Sequence, residues 1–171
     1  GFVLIACTST KDTQILTTSY IGYDFTKAIV GTSVDIELLT PVGQDFHNFE
    51  PTSKDLLKLK KSEVFIYTGF DYDTWLKNED TLNTYKGKDT HTIKLESFNH
   101  THEESHDHDE EHEDESHEHH DHEGHIHGEH FWTNPLIATV VIEHLMEELT
   151  QIYPQYANIF YVNANKYMNE I

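Results

Sequence analysis

Apolar and polar positions alternate along the first hundred residues with two different periods. "TQILTTSY" (residues 13–20) is short and rich in apolar and β-branched residues, and it reads as a strand. "GYDFTKAIVG" (residues 22–31) then places Phe25, Ala28 and Ile29 at helical spacing, with Gly31 as a C-terminal stop. "VDIELLTPV" (residues 34–42) alternates and meets Pro41 and Gly43, the pattern of a strand ending in a turn. Thr52 and Asp55 have the spacing of a capping box, and Leu56, Leu57 and Leu59 follow on a helix. "VFIYTG" (residues 64–69) is a continuous apolar run of strand length, expected for a strand buried on both faces. A short amphipathic piece carries Trp75 and Leu76, and "THTIKL" (residues 90–95) reads as a fourth strand. This alternation predicts an α/β fold with a mostly parallel four-stranded sheet flanked by helices.

The pattern resumes near the C-terminus. Asn134 can cap a helix that begins at Pro135, with Ile137, Val141, Leu145 and Leu149 at four-residue spacing on its buried face. Pro154 restarts a helix carrying Ile159, Phe160 and Tyr167. No glycine or proline stop follows before Ile171, so the expectation is that this sequence ends inside an element.

Between these two regions the periodicity vanishes. "HTHEESHDHDEEHEDESHEHHDHEGHIHGEH" (residues 100–130) holds 12 histidines and 13 carboxylates with no basic residue, and only Ile126 is aliphatic. Such a stretch cannot form a packed core. It also explains the charge: of a formal −20, the tract supplies 13 of the 31 acidic residues and none of the 11 basic ones. The remaining 18 acids against 11 bases leave −7, ordinary for a soluble domain. Clustered basic residues would be needed to neutralise phosphates, so nucleic acid is excluded as a partner. Cations suit the balance.

The single cysteine, Cys7, allows no internal disulfide. It ends "LIAC", preceded by Phe2 and Val3 and followed by the polar "TSTKD". That arrangement resembles a bacterial lipobox, with Ala6 at the cleavage site and Cys7 as the lipidated residue. The alternative is a core cysteine on a short strand. No run reaches the roughly 20 residues needed to span a membrane. The expectation is an extracytoplasmic protein anchored by lipid to the outer face of the cell membrane, or periplasmic in an envelope with two membranes.

Two histidines stand apart by context. His47, in "PVGQDFHNFEP", follows the end of a predicted strand and precedes a helix, where open α/β sheets bind ligands. His130, in "HFWTNP", lies between the tract and the capped helix. Taken singly, a loop histidine is more often solvated or bonded to a carbonyl than a ligand. His91 reads as exposed and His144 as a half-buried helix residue. Trp75 and Trp132 read as packing residues, with Trp132 a possible wall beside His130. "HEESH" (residues 102–106) matches a zinc-protease pattern, but the flanks lack the apolar periodicity of the packed helix which that chemistry needs. "NHT" (residues 99–101) matches a glycosylation acceptor, uninformative beside a lipobox.

Read in order, "LIAC", "TTSYIGYDFTKAIVG", "GQDFHNFEP", "VFIYTG" with "DTWL", the His/Asp/Glu-rich insertion, "HFWTNP" and "YANIFYVNANKYMNEI" resemble the N-terminal half of the zinc/manganese solute-binding proteins of ABC transporters. The resemblance implies that His47 and His130 are the first two metal ligands. It implies that the remaining ligands, a histidine or glutamate and an aspartate, belong to a second lobe beyond Ile171, and that the helix from Pro154 links the lobes. Many relatives read "DPH" where this chain has "GEH" (residues 128–130), which leaves His127 as a rival ligand. Some zinc-specific members carry an acid before the first histidine, where this chain has Phe46.

Within the tract, four pairs are spaced to chelate from an extended backbone: His100 with His102, His106 with His108, His117 with His119, and His125 with His127. His112, His120 and His122 add further imidazoles. Interspersed carboxylates concentrate cations and accept hydrogen bonds from bound histidines. The tract therefore reads as a low-affinity metal-collecting loop, against the alternative of a solvated spacer. Imidazole density favours Zn²⁺ over Mn²⁺, although Ni²⁺ and Cu²⁺ also take imidazole. The expected organisation is lipobox and linker (1–12), N-terminal α/β lobe (13–98), His-rich loop (99–129), the end of the lobe with the metal motif (130–153) and the start of an inter-lobe helix (154–171). The expected protein is a monomeric zinc-binding lipoprotein that delivers metal to its ABC permease. A metal-storing or adhesive surface protein, or a manganese-specific relative, is the alternative. A metallohydrolase would need a general base or a third clustered ligand outside the tract.

Overall fold

The computed structural model describes residues 13–100 and 130–171. The expected lipidation residue Cys7 lies outside the described residues. So do most of the histidines assigned to the metal-collecting loop: His102, His106, His108, His112, His117, His119, His120, His122, His125 and His127. The side chain of His100 lies outside them too. Four strands, β1 (Ile15–Thr17), β2 (Ile36–Leu38), β3 (Val64–Tyr67) and β4 (His91–Lys94), form one sheet in the order β2-β1-β3-β4. All three pairings are parallel. Among the described residues five α-helices complete it: α1 (Tyr20–Val30), α2 (Ser53–Lys61), α3 (Glu79–Tyr85), α4 (Pro135–Ile152) and α5 (Ala157–Met168).

Strand alternation divides the interior in two. Ile15, Val64, Ile66, Ile93 and Leu95 point to one face and pack with Phe25, Ile29, Val141, Leu145 and Phe160 of α1, α4 and α5. Leu16, Phe65 and Tyr67 point to the other and pack with Leu59, Trp75 and Leu82 of α2, the β3–α3 loop and α3. The two central strands, β1 and β3, are thus covered on both sides, which is why β3 is apolar at every position.

The expected elements are present, with the strands shorter than their patterns. β1 keeps three of the eight residues in its pattern because Thr18 and Ser19 turn into α1, where the Ser19 hydroxyl caps the helix by accepting from Gly22 N. The Thr52–Asp55 capping box forms in both directions. Trp75 and Leu76 are buried in a turn, and the α3 helix behind them was not expected. On α4, Val141, Leu145 and Leu149 are buried as the spacing predicts, joined by Ala138 and Ile142, while Ile137 is half-buried. His91 is exposed; His144 is half-buried and stacks on Phe98. Among the described residues no helix is long and apolar enough to cross a membrane.

The helix α5 belongs to the packing of this lobe: Phe160 and Ala164 are fully buried. Asn163 Nδ2 donates to the Ile29 carbonyl at 3.0 Å, and Tyr167 Oη donates to Asp24 at 2.7 Å.

The strand order has one functional consequence. From β1 the chain moves outward to β2, then returns across β1 to β3. Right-handed crossovers put α1 and α2 on opposite faces. The carboxyl ends of β1 and β3 therefore open a crevice between diverging connections, the place where open α/β sheets bind ligands.

Candidate metal centre

Four connections meet above that crevice. The loop after β2 contains a single 3-10 turn, Phe46–Asn48. Asp45 caps it: Oδ1 accepts from His47 N at 3.0 Å and Oδ2 from Asn48 Nδ2 at 3.0 Å. This fixes the backbone of His47, whose ring is half-buried and stacked on Phe46 at 4.3 Å between centroids. His130 immediately precedes a second 3-10 turn, Phe131–Thr133, and its carbonyl accepts from Thr133 N and Oγ1. Phe131 is buried in the larger core, so the exposed His130 is tied to a well-packed neighbour. Asn134 closes this turn and caps α4 through Leu136 N, as its position predicts.

His47 and His130, far apart in sequence, stand together. Their ring centroids are 6.3 Å apart and their planes are nearly perpendicular, at 89°. Two imidazoles bound tetrahedrally to one ion at Zn–N of about 2.0–2.1 Å have centroids on the order of 5 Å apart. The observed spacing is about 1 Å wider, within reach of a side-chain adjustment by exposed His130. The two rings share a cavity of about 620 Å³ with Asp45, Phe46, Asp71, Tyr72 and Glu96. Trp132 stands 5.1 Å from His130 and 6.2 Å from Phe46, walling one side.

No group of three or more His, Cys, Asp or Glu side chains converges on one point among the described residues. The two imidazoles could supply at most half of a tetrahedral shell, and three carboxylates, Asp45, Asp71 and Glu96, stand around the mouth. Glu96 is held there by backbone: its N–H donates to the Thr68 carbonyl at 2.9 Å. Its carboxylate lies against Gly69, where a side chain would collide with it. The rival ligand His127 and the paired imidazoles of the tract, His106 with His108 and His117 with His119 among them, lie outside the described residues, so the pair at 47 and 130 is the part of the expected ligand set that the structure brings together.

At the carboxyl ends of β1 and β3 lies a set of fully buried polar groups. Thr68 Oγ1 donates to Ser19 Oγ at 2.8 Å, joining the ends of β3 and β1. Asp73 is fully buried, and its Oδ2 accepts from Thr68 N at 2.7 Å and Gly69 N at 3.2 Å. Burial pushes its carboxyl up to about 6, against the lowering influence of Thr18, the two N–H groups and His47. Thr18 lies near enough to lower the proton affinity of Asp73. Yet neither Thr18 Oγ1 nor Asp73 Oδ1 has a partner of hydrogen-bond geometry among the described residues.

The raised value has a measurable consequence. An unfolded aspartate titrates at about 3.9. The folded state therefore holds its proton to higher pH than the unfolded one. The associated stability is fully present below the unfolded value and is lost as pH rises through about 6. The full span is on the order of 3 kcal/mol. Asp73→Asn removes this dependence while retaining an acceptor oxygen. In denaturant unfolding across about pH 4 to 8, the variant should gain on the wild type by that amount as pH rises. A constant difference would contradict burial of an uncharged carboxyl.

Sequence reasoning placed His47 and His130 correctly in the fold but gave no sign of Asp45, Asp71, Tyr72, Asp73 or Glu96. Their position just after predicted strands was the available signal.

Residues 15–171 match the ZnuA family, the periplasmic component A of zinc-uptake complexes. Over 98% of its length the chain is 31% identical to the zinc-binding lipoprotein AdcA of Streptococcus pneumoniae, of which it covers 33%. It is 29% identical to the high-affinity zinc uptake system protein ZnuA of Bacillus subtilis, over 92% of this chain and 48% of that one. The structure aligns with the Zn(II)-bound ZnuA-like domain of S. pneumoniae AdcA at a TM-score of 0.68 and 27% identity, covering 93% of this chain and 51% of that one. The chain thus spans from about a third to about half the length of these proteins. With a match running from its first strand to its last residue, the chain belongs to the ZnuA family of zinc-uptake components.

Proposed function

We propose that this protein captures Zn²⁺ outside the cytoplasmic membrane and passes it to the permease of an ABC uptake transporter. The observation that carries this reading is the His47–His130 pair, brought together at the sheet's carboxyl edge in a cavity open on one side. Neutral imidazole suits Zn²⁺ better than Mn²⁺. A half-built shell suits capture and release, because closure by further groups raises affinity and reopening lowers it. The relatives' greater length supports a second lobe as the source of those groups. The reading of the protein as a carrier is supported by its relatives, which are named as zinc-binding and zinc-uptake proteins.

The tract between residues 99 and 129 extends this reading as a reservoir of weak ligands that raises the local zinc concentration. Cys7 is the proposed lipid anchor, in keeping with the lipoprotein name carried by the S. pneumoniae relative.

Imidazole must lose its proton to bind metal, and free imidazole titrates near about 6.5. With two imidazoles required, zinc affinity should fall by up to about 100-fold per pH unit once both are protonated. Competitive equilibrium titration with a chromophoric chelator, from pH 7.5 to about 5, reads this directly. A flat profile would rule out histidine as the ligand.

A further inference from the structure

The two histidines come from distant segments, and their spacing must be held before an ion arrives. The β3–α3 loop touches both. Tyr72 is 9% exposed, and its ring centroid lies 6.0 Å from His47, 5.9 Å from Phe131 and 5.7 Å from Trp132. Phe131 and Trp132 directly follow His130. Two residues beyond Tyr72, Thr74 Oγ1 donates to the His47 carbonyl at 2.9 Å. Between them, buried Asp73 ties the loop to the end of β3 through the N–H groups of Thr68 and Gly69. Tyr72 therefore stands on a base fixed to a central strand, with one ligand-bearing turn on each side.

We infer that Tyr72, assisted by Thr74, is a positioning residue of the metal centre: its ring, wedged between turns 46–48 and 131–133, sets the separation of the two imidazoles. This rests on the reading of His47 and His130 as metal ligands. Neither histidine side chain is deeply buried, so each would otherwise sample several rotamers. Ordering them at the moment of binding would cost affinity, and a rigid ring between their turns removes part of that cost beforehand. Groups that orient metal ligands are typically worth about 10–100-fold in metal affinity.

The test is equilibrium zinc titration of the full chain, with the double variant His47→Ala, His130→Ala defining the background from the tract. Tyr72→Ala should weaken the site about 10–100-fold. Tyr72→Phe, which keeps the ring, should recover most of the loss. Thr74 is exposed, so Thr74→Val tests the same device without disturbing the core, and it should weaken binding by a smaller factor. In the double-histidine background Tyr72→Ala should change nothing, which assigns the loss to the pair at 47 and 130 and not to the tract. The inference is overturned if Tyr72→Ala binds as tightly as the wild type, if Tyr72→Phe loses as much as alanine, or if the loss persists without the histidines. Should the double-histidine variant itself bind like the wild type, the ligand reading fails, and the inference falls with it. That outcome is distinct from a failure at Tyr72 alone.

Discussion

Substituting His47 by alanine should abolish the tighter phase of zinc binding, an affinity loss of about 100-fold, and His130→Ala should do the same. The estimate follows from the free energy of a complete zinc site. Four ligands together provide about 10–16 kcal/mol, roughly 3 kcal/mol each, and every 1.4 kcal/mol is about tenfold. Among the described residues two imidazoles stand within reach of one ion, and such a pair is especially sensitive, because losing one leaves a single monodentate contact. The two losses should not add: with either ring gone the chelate is already broken, so the double variant should bind no worse than each single one. Weaker binding to the tract should remain in all three. His130 is exposed and His47 half-buried, so thermal stability without metal should stay within about 0.5 kcal/mol. Unchanged titrations in both single variants would remove these residues from the metal site.

The largest effect on stability should come from Phe65→Ala, at about 3–5 kcal/mol. Phe65 lies on the central strand β3, is fully buried, stacks on Tyr67 at 5.8 Å and meets Trp75 edge-on at 6.4 Å. Removing its ring leaves a cavity walled by strands and aromatic neighbours that cannot collapse far. Since a whole domain is stable by only about 5–15 kcal/mol, this variant should sit near the threshold of unfolding. Urea unfolding should show a lower midpoint with an unchanged slope. A loss below about 1 kcal/mol would mean that the smaller core is far looser than its packing indicates. Because β3 ends at the backbone groups that hold Asp73, zinc binding should weaken in proportion to the population that has unfolded.

The central strand β3 was legible because a strand buried on both faces requires apolar residues at every position, and "VFIY" meets that condition. The capping box was legible because both partners lie within one turn of sequence. The helix α3 was not: in seven residues it buries only Leu82, so no period could emerge, although Asn78 caps it through Thr81 N. Of the site, the histidines could be found from their place after a strand and beside the capped helix. Their common cavity could not, since nothing local states that residues 47 and 130 meet. Asp73 was the most concealed. An aspartate two residues before a tryptophan reads as a solvated loop acid, since aspartate is seldom fully buried. Only the three-dimensional path of the loop turns it inward onto the amides of Thr68 and Gly69.

The position of β1 inside the sheet has a kinetic consequence. Ile15 pairs with both Ile36 and Val64, so β1 waits for β3 before it is enclosed. No local hairpin can form in its place, because parallel neighbours need a full crossover. Loop closure must precede any reward from such pairing, which puts refolding in the slower range of mixed α/β domains. A nascent chain of this design cannot enclose β1 until β3, paired with it from Ile15↔Val64 to Thr17↔Ile66, has also been made.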